Sequence, residues 1–254
     1  MHGELLRQWG SSEVRRLSYG LRSVIVKHGT DTQFGEDAAY ERFVVPLELP
    51  APRLLYGGEG VIVLEDVGRV TLEQEPTADG FLAAADLLAG IRGRAVPGPS
   101  GFPPERVKEL AGRIGRVAFD IAPLTEALAE LHRQAPLSVV HGDFVPKNLV
   151  TDGTRWTAVD WPLAYVAPHL SDLYTLVRDA VAFGYERGPI VARYVEAAGA
   201  DSFLVDRQLL VGGACLCLLA LTFVVEEGVR TIPESEGWID PLLAELADLA
   251  EQLS

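Results

Sequence analysis

The sequence predicts an α+β protein in two lobes: a small antiparallel sheet with one helix, then a larger and mostly helical part. Three features point there. Short strands broken by turn residues run from Glu4 to Lys27 and, after one helical stretch, recur at Leu54 to Tyr56 and Val61 to Leu64. From Thr77 onward the period lengthens from two to near 3.6. The helical pattern is interrupted at Leu149 to Val159, where two short apolar runs flank Asp152-Gly153, a hairpin signal. The change of period divides the chain into residues 1–68 and 69–254.

Leu5 to Trp9, Glu13 to Tyr19 and Arg22 to Lys27 read as three strands of a meander, joined at Gly10-Ser11-Ser12 and at Gly20. The third strand is apolar and ends on Lys27, one of three lysines among 22 basic residues. Gln33 to Val44 has helical spacing, with Phe34, Ala38, Tyr40 and Phe43 apolar and Glu36, Glu41 and Arg42 polar. Leu54 to Tyr56 and Val61 to Leu64 add two strands, and the second runs into Glu65-Asp66-Val67-Gly68. Phe81 to Arg92 and Pro104 to His132 are amphipathic helical stretches. Between them, the Gly and Pro density of residues 93–103 forbids a continuous helix. After the hairpin, helices are expected over about Leu173 to Glu186, Pro189 to Ala198, Asp206 to Glu227 and Pro241 to Leu253.

A net charge of −14 gives the wrong sign for neutralising nucleic-acid phosphates. From Leu173 to the end there are 13 acidic and 5 basic residues, a surface that draws cationic small molecules. No basic stretch followed by an apolar run opens the chain, so the expected compartment is the cytoplasm. Gln208 to Val225 nears the length of a membrane span. Gly212-Gly213, the absence of basic flanks and the acidic Glu226-Glu227 make it a buried core helix instead. Cys215 and Cys217, two apart on that helix, point to different faces and read as small buried apolar residues.

The chemistry concentrates in Val139 to Trp161. His141-Gly142-Asp143 follows two valines, Asn148 comes five residues after Asp143, and the returning hairpin strand ends on Asp160. A hairpin sets its outer ends side by side. An amide oxygen from Asn148 and a carboxylate from Asp160 can therefore share one hard cation such as Mg²⁺, completed by water and phosphate oxygens. Asp143, on the loop upstream, is free to take a proton from an attacking hydroxyl.

In order and spacing, His141-Gly142-Asp143, Asn148 and Asp160-Trp161 resemble the catalytic loop and metal strand of the aminoglycoside phosphotransferase and choline kinase-like family, which has a protein-kinase-like fold. The resemblance implies a small-molecule kinase using Mg²⁺ and ATP or GTP. It implies that residues 1–68 bind nucleotide, with Lys27 on the α- and β-phosphates and Glu36, or Glu41 in its place, orienting that lysine. Ser11 and Ser12 would lie at the phosphate turn, and Glu65 and Val67 would read the base through backbone groups. His141 would buttress the catalytic loop, and Asp172, in a motif where Tyr174 replaces the usual Ala, would hydrogen-bond back to it. Pro162 stands where the family more often has Glu. The implied acceptor is a cationic hydroxyl compound of the aminoglycoside type, with Asp179, Glu186, Glu226 and Glu227 as contacts chosen by charge and lobe. A choline, homoserine or sugar kinase is the alternative, and a nucleotide-binding regulatory pseudokinase is a second.

Overall fold

The computed structural model describes residues 2–9, 12–29, 35–115, 117 and 120–253, and its alternating segments join in one antiparallel sheet. The strands β1 (His2–Trp9), β2 (Ser12–Tyr19) and β3 (Arg22–His28) form the meander. β4 (Leu54–Gly58) and β5 (Val61–Glu65) follow, giving the order β1-β2-β3-β5-β4. Gly20, at φ 59°, is the first of two turn residues between Tyr19 and Arg22, a conformation that costs glycine nothing. β1 carries a bulge: Leu5 pairs with Arg15 but Arg7 with Val14, leaving Leu6 as the extra residue.

The helix expected over 33–44 is observed from Gly35, Gln33 and Phe34 being outside the described residues. α1 (Gly35–Ala39) widens into a π-helical turn, Tyr40–Val44, in which the Val45 N–H reaches the Tyr40 carbonyl five residues back. Tyr40, Phe43 and Val44 are buried in one cluster with Ile62 and Leu64 of β5. Each such side chain contributes roughly 1.5–3 kcal/mol, and together they fix the helix on the sheet.

The second part contains β6 (Val70–Thr71), α2 (Ala78–Arg92), α3 (Pro104–Ile114), α4 (Ala122–Gln134) and β7 (Ser138–Val140). Next come β8 (Leu149–Thr151), β9 (Trp156–Ala158), β10 (Tyr165–Ala167), α5 (Ser171–Ala182), α6 (Arg187–Ala198), α7 (Ser202–Phe223), α8 (Val229–Thr231) and α9 (Ile239–Gln252). The single amphipathic stretch read over Pro104 to His132 is two helices. Gly115 takes φ 66° and ends α3, its N–H bonded to the Ala111 carbonyl at 3.1 Å. The hairpin is present with a longer turn. The Asp152 carboxylate accepts from the Thr154 hydroxyl and from the N–H groups of Thr154 and Arg155, which hold its pKa down at about 2.

The helical run Ser202–Thr231 has the length and hydropathy of a membrane span, yet 61% of its most apolar window is buried in the protein, as expected for a core helix. Both cysteines lie there, and burial pushes the Cys217 thiol up to about 12. Gly212 and Gly213 let α7 come against the start of α5. A Cβ on Gly212 would sit 2.5 Å from the Ser171 nitrogen, and one on Gly213 2.5 Å from the Tyr174 ring. That contact positions the first turn of α5, where Asp172 sits.

Between the sheet and the helical part, Gly68 takes φ 144°, and a Cβ there would lie 2.0 Å from the Thr151 carbonyl oxygen. Gly68→Ala is expected to destabilise the fold by roughly 1–3 kcal/mol. Thermal denaturation would register this as a midpoint several degrees lower.

Candidate active site

Lys27 occupies the centre of the sheet, and its side chain joins the two parts of the protein. Its Nζ lies 2.6 Å from Glu36 Oε2 on α1 and 2.9 Å from Asp160 Oδ1 beyond β9. Burial alone would depress the lysine's pKa, but the two carboxylates outweigh it and hold the ammonium above its usual value. Burial likewise acts to raise the Asp160 pKa, and Lys27 reverses the sign. The ammonium therefore stays charged inside the protein. Glu36 is itself buried and accepts the Trp161 N–H through its other oxygen at 3.3 Å, which makes Glu36, rather than Glu41, the partner of Lys27.

Asp160 reaches Lys27 because the chain turns sharply after β9. Its φ of 72° is left-handed, a region aspartate tolerates better than most residues. Trp161 anchors the turn. Fully buried, it donates Nε1–H to the Ala158 carbonyl at 3.0 Å and packs on the His141 ring with centroids 4.5 Å apart.

The loop from His141 to Asn148 is held from two sides. Asp172 Oδ2 accepts the His141 N–H at 2.6 Å and Oδ1 accepts the Gly142 N–H at 3.0 Å. Burial raises the Asp172 pKa, and these two donors offset part of that rise. Gly142 has φ 85°, and a Cβ there would fall 2.4 Å from the Leu163 carbonyl oxygen, so glycine is required. The Asp143 N–H donates to His141 Nδ1 at 3.3 Å, and burial lowers the His141 pKa, leaving a neutral ring inside the loop. Asn148 Nδ2 donates to both the Asp143 carbonyl (3.0 Å) and its Oδ2 (2.8 Å), which leaves the amide oxygen available to a ligand. Removing Asp172 would strip two N–H groups, one buried and one partly buried, of their acceptor. Asp172→Ala is expected to cost roughly 2–6 kcal/mol, measured by urea unfolding, and to lower turnover by misaligning Asp143.

Asn148 and Asp160, brought together by the backbone bond from Val159 N–H to the Asn148 carbonyl (2.9 Å), line one cleft of about 330 Å³ with Lys27, Lys147 and Glu65-Asp66-Val67-Gly68. Glu65 and Val67 thus lie at the edge of the same cleft. Ser12 opens β2, and its hydroxyl, buried against Gly29, lines a small cavity of about 40 Å³ with Lys27 and Glu36. Ser11 is outside the described residues. Of the four acidic residues expected at the acceptor side, Asp179 is near enough to Asp143 and Lys147 for their charges to act on it. Burial, the largest influence, raises its pKa. Glu226 is ion-paired with Arg113, while Glu186 precedes α6 without a side-chain capping bond and Glu227 lies in the turn after α7, both exposed.

Three further groups were not singled out in the sequence. Lys147, between Asp143 and Asn148, lies 3.6 Å from Asp143 Oδ2, and its position in the loop was the available signal. Arg16 and Asp66 form a two-pronged pair, Nε to Oδ2 at 2.7 Å and Nη2 to Oδ1 at 3.2 Å, and Arg16 Nη2 also bonds the Gly68 carbonyl at 2.8 Å. Fifty residues separate that pair, and strand alternation carries no hint of it.

One carboxylate and one amide oxygen suit a hard cation that keeps water and phosphate ligands. Among the described residues no cluster of three or more His, Cys, Asp or Glu could hold a metal by itself. An ion here would arrive with, and be completed by, a polyphosphate.

Residues 5–208 match the model of the phosphotransferase enzyme family. A search of curated proteins finds no match. In fold, the chain is similar to a choline/ethanolamine kinase family protein from Mesorhizobium loti, with TM-score 0.68 and 16% identity over 99% of this chain and 88% of that one. It is similar to choline kinase from Streptococcus pneumoniae at TM-score 0.66 and 16% identity, covering 98% and 94%. ADP-bound aminoglycoside phosphotransferase APH(2'')-Ib gives TM-score 0.66 at 13% identity, also covering 98% and 94%.

Proposed function

Because the chain belongs to the phosphotransferase enzyme family, we propose that it transfers the γ-phosphoryl group of a magnesium nucleotide, ATP or GTP, to a hydroxyl of a small cationic molecule in the cytoplasm. The acceptor we favour is an aminoglycoside-type antibiotic, which would make the enzyme a resistance factor. A choline-like metabolite is the second reading, supported by the likeness in fold to two choline-kinase-type proteins. The observation that carries the proposal is the joining of Glu36, Lys27 and Asp160 at a cleft that Lys27, Asn148 and Asp160 line together, with Asn148 bonded to the Asp143 carboxylate.

Phosphoryl transfer asks a protein chiefly for positioning and charge neutralisation. Asp143 takes the proton from the acceptor hydroxyl as its oxygen bonds to the γ-phosphorus, and the bond to the β–γ bridging oxygen breaks. Lys27, held by Glu36, steadies the α- and β-phosphates. Asn148 and Asp160 would hold Mg²⁺, which when bound neutralises charge on the β- and γ-phosphates. Residues 1–68 serve the nucleotide, with the backbone of Glu65 and Val67 at the base. Residues 69–254 carry the catalytic loop and the acceptor side, where the half-buried Asp179 gives an ammonium group a partner beside Asp143.

The test is Mg²⁺-dependent nucleotide consumption against a panel of aminoglycosides, choline, homoserine and sugars. Turnover with an aminoglycoside supports the favoured acceptor. Turnover with choline alone transfers the assignment to the second reading, and no turnover with any alcohol removes the proposal.

A further inference from the structure

In a regular strand successive side chains point to opposite faces of the sheet. Leu6 and Arg7 break that rule, since both line the cleft that holds Lys27, Asn148 and Asp160. The cause is the bulge at Leu6, which shifts the β1 register by one residue and re-aims Arg7. Arg7 then falls in a cross-strand row, Arg7 opposite Val14 and Val14 opposite Lys27, with all three facing the cleft. Arg7 and Lys27, about 10 Å apart at the backbone, converge on Asp160, Lys27 at Oδ1 and Arg7 Nη1 3.8 Å from Oδ2.

As a stabilising ion pair this contact counts for little: it is long, and the Arg7 side chain is 46% exposed. A part-exposed guanidinium lining a cleft read as a polyphosphate site suits another role, because its planar donors match phosphate oxygens. The sequence between β1 and β2, Gly10-Ser11, holds a single glycine and is not a glycine-rich run. We propose that Arg7, delivered by the bulge, is a donor-binding residue that grips the terminal phosphates of the nucleotide in place of such a loop. This rests on the nucleotide-site reading above and adds a residue to it.

The experiment is calorimetry of ATP, ADP and AMP, each with Mg²⁺, on wild-type protein, Arg7→Ala and Arg7→Lys, with circular dichroism to establish that the variants fold. Arg7→Ala is expected to weaken ATP about tenfold or more while changing AMP less than about twofold, since an ion pair to phosphate is lost. Arg7→Lys is expected to recover part of the loss. Equal ATP affinity in wild type and Arg7→Ala overturns the role of Arg7 and leaves the nucleotide site standing. A loss of the same size for AMP and ATP also overturns it, marking a general distortion. Failure of the wild type to bind any of the three nucleotides removes the site itself.

Discussion

Asp143→Ala is expected to lower turnover by roughly 10² to 10⁴ while leaving nucleotide affinity near that of the wild type. At 1.36 kcal/mol per factor of ten, that is about 3–5 kcal/mol of barrier. The geometry makes this a clean experiment. Asn148 Nδ2 is bonded to the Asp143 carbonyl as well as to its carboxylate, so truncating the side chain leaves the amide one of its acceptors. Asp172 continues to hold the loop through His141 and Gly142. Single-turnover kinetics would place the loss in the chemical step. A variant as fast as wild type would deny Asp143 the part of base.

Asp160→Ala is expected to abolish measurable Mg²⁺-dependent nucleotide binding. Its carboxylate is half of the proposed metal ligand set and also a partner of Lys27, so one truncation removes a hard oxygen and loosens the cation meant for the phosphates. Glu36 remains on Lys27 at 2.6 Å and keeps the ammonium paired, so the fold should survive. Calorimetry with and without Mg²⁺ decides it, and normal Mg²⁺-dependent affinity in this variant would refute the ligand assignment.

Both experiments concern residues that were readable in the sequence, because their spacing reflects local geometry. The strand meander, the lysine at the end of β3 and the hairpin returning to Asp160 all follow from period-two alternation and turn residues. What escaped depends on packing over long separations or on backbone detail. The bulge that aims Arg7 is a one-residue shift with no mark in composition. The Arg16–Asp66 pair joins distant residues through a cross-sheet approach. The inward turn of the Ser12 hydroxyl depends on the room that Gly29 leaves for it. The four acidic residues chosen by charge separate once packed: Asp179, paired with Arg178, is near enough to feel the charges of Asp143 and Lys147, and Glu226 meets Arg113 from a different helix.

The segment after β5 is bound at both shoulders. Arg16 grasps the Asp66 carboxylate and the Gly68 carbonyl from the sheet side, Ser23 donates to the same carboxylate at 2.6 Å, and Gly68 rests against Thr151 from the other. A connection riveted in this manner resists swivelling. The cleft should therefore behave as a preformed mould, selecting its occupants by shape and charge with little jaw-like closing, and any wide gape would first have to break the guanidinium bracket.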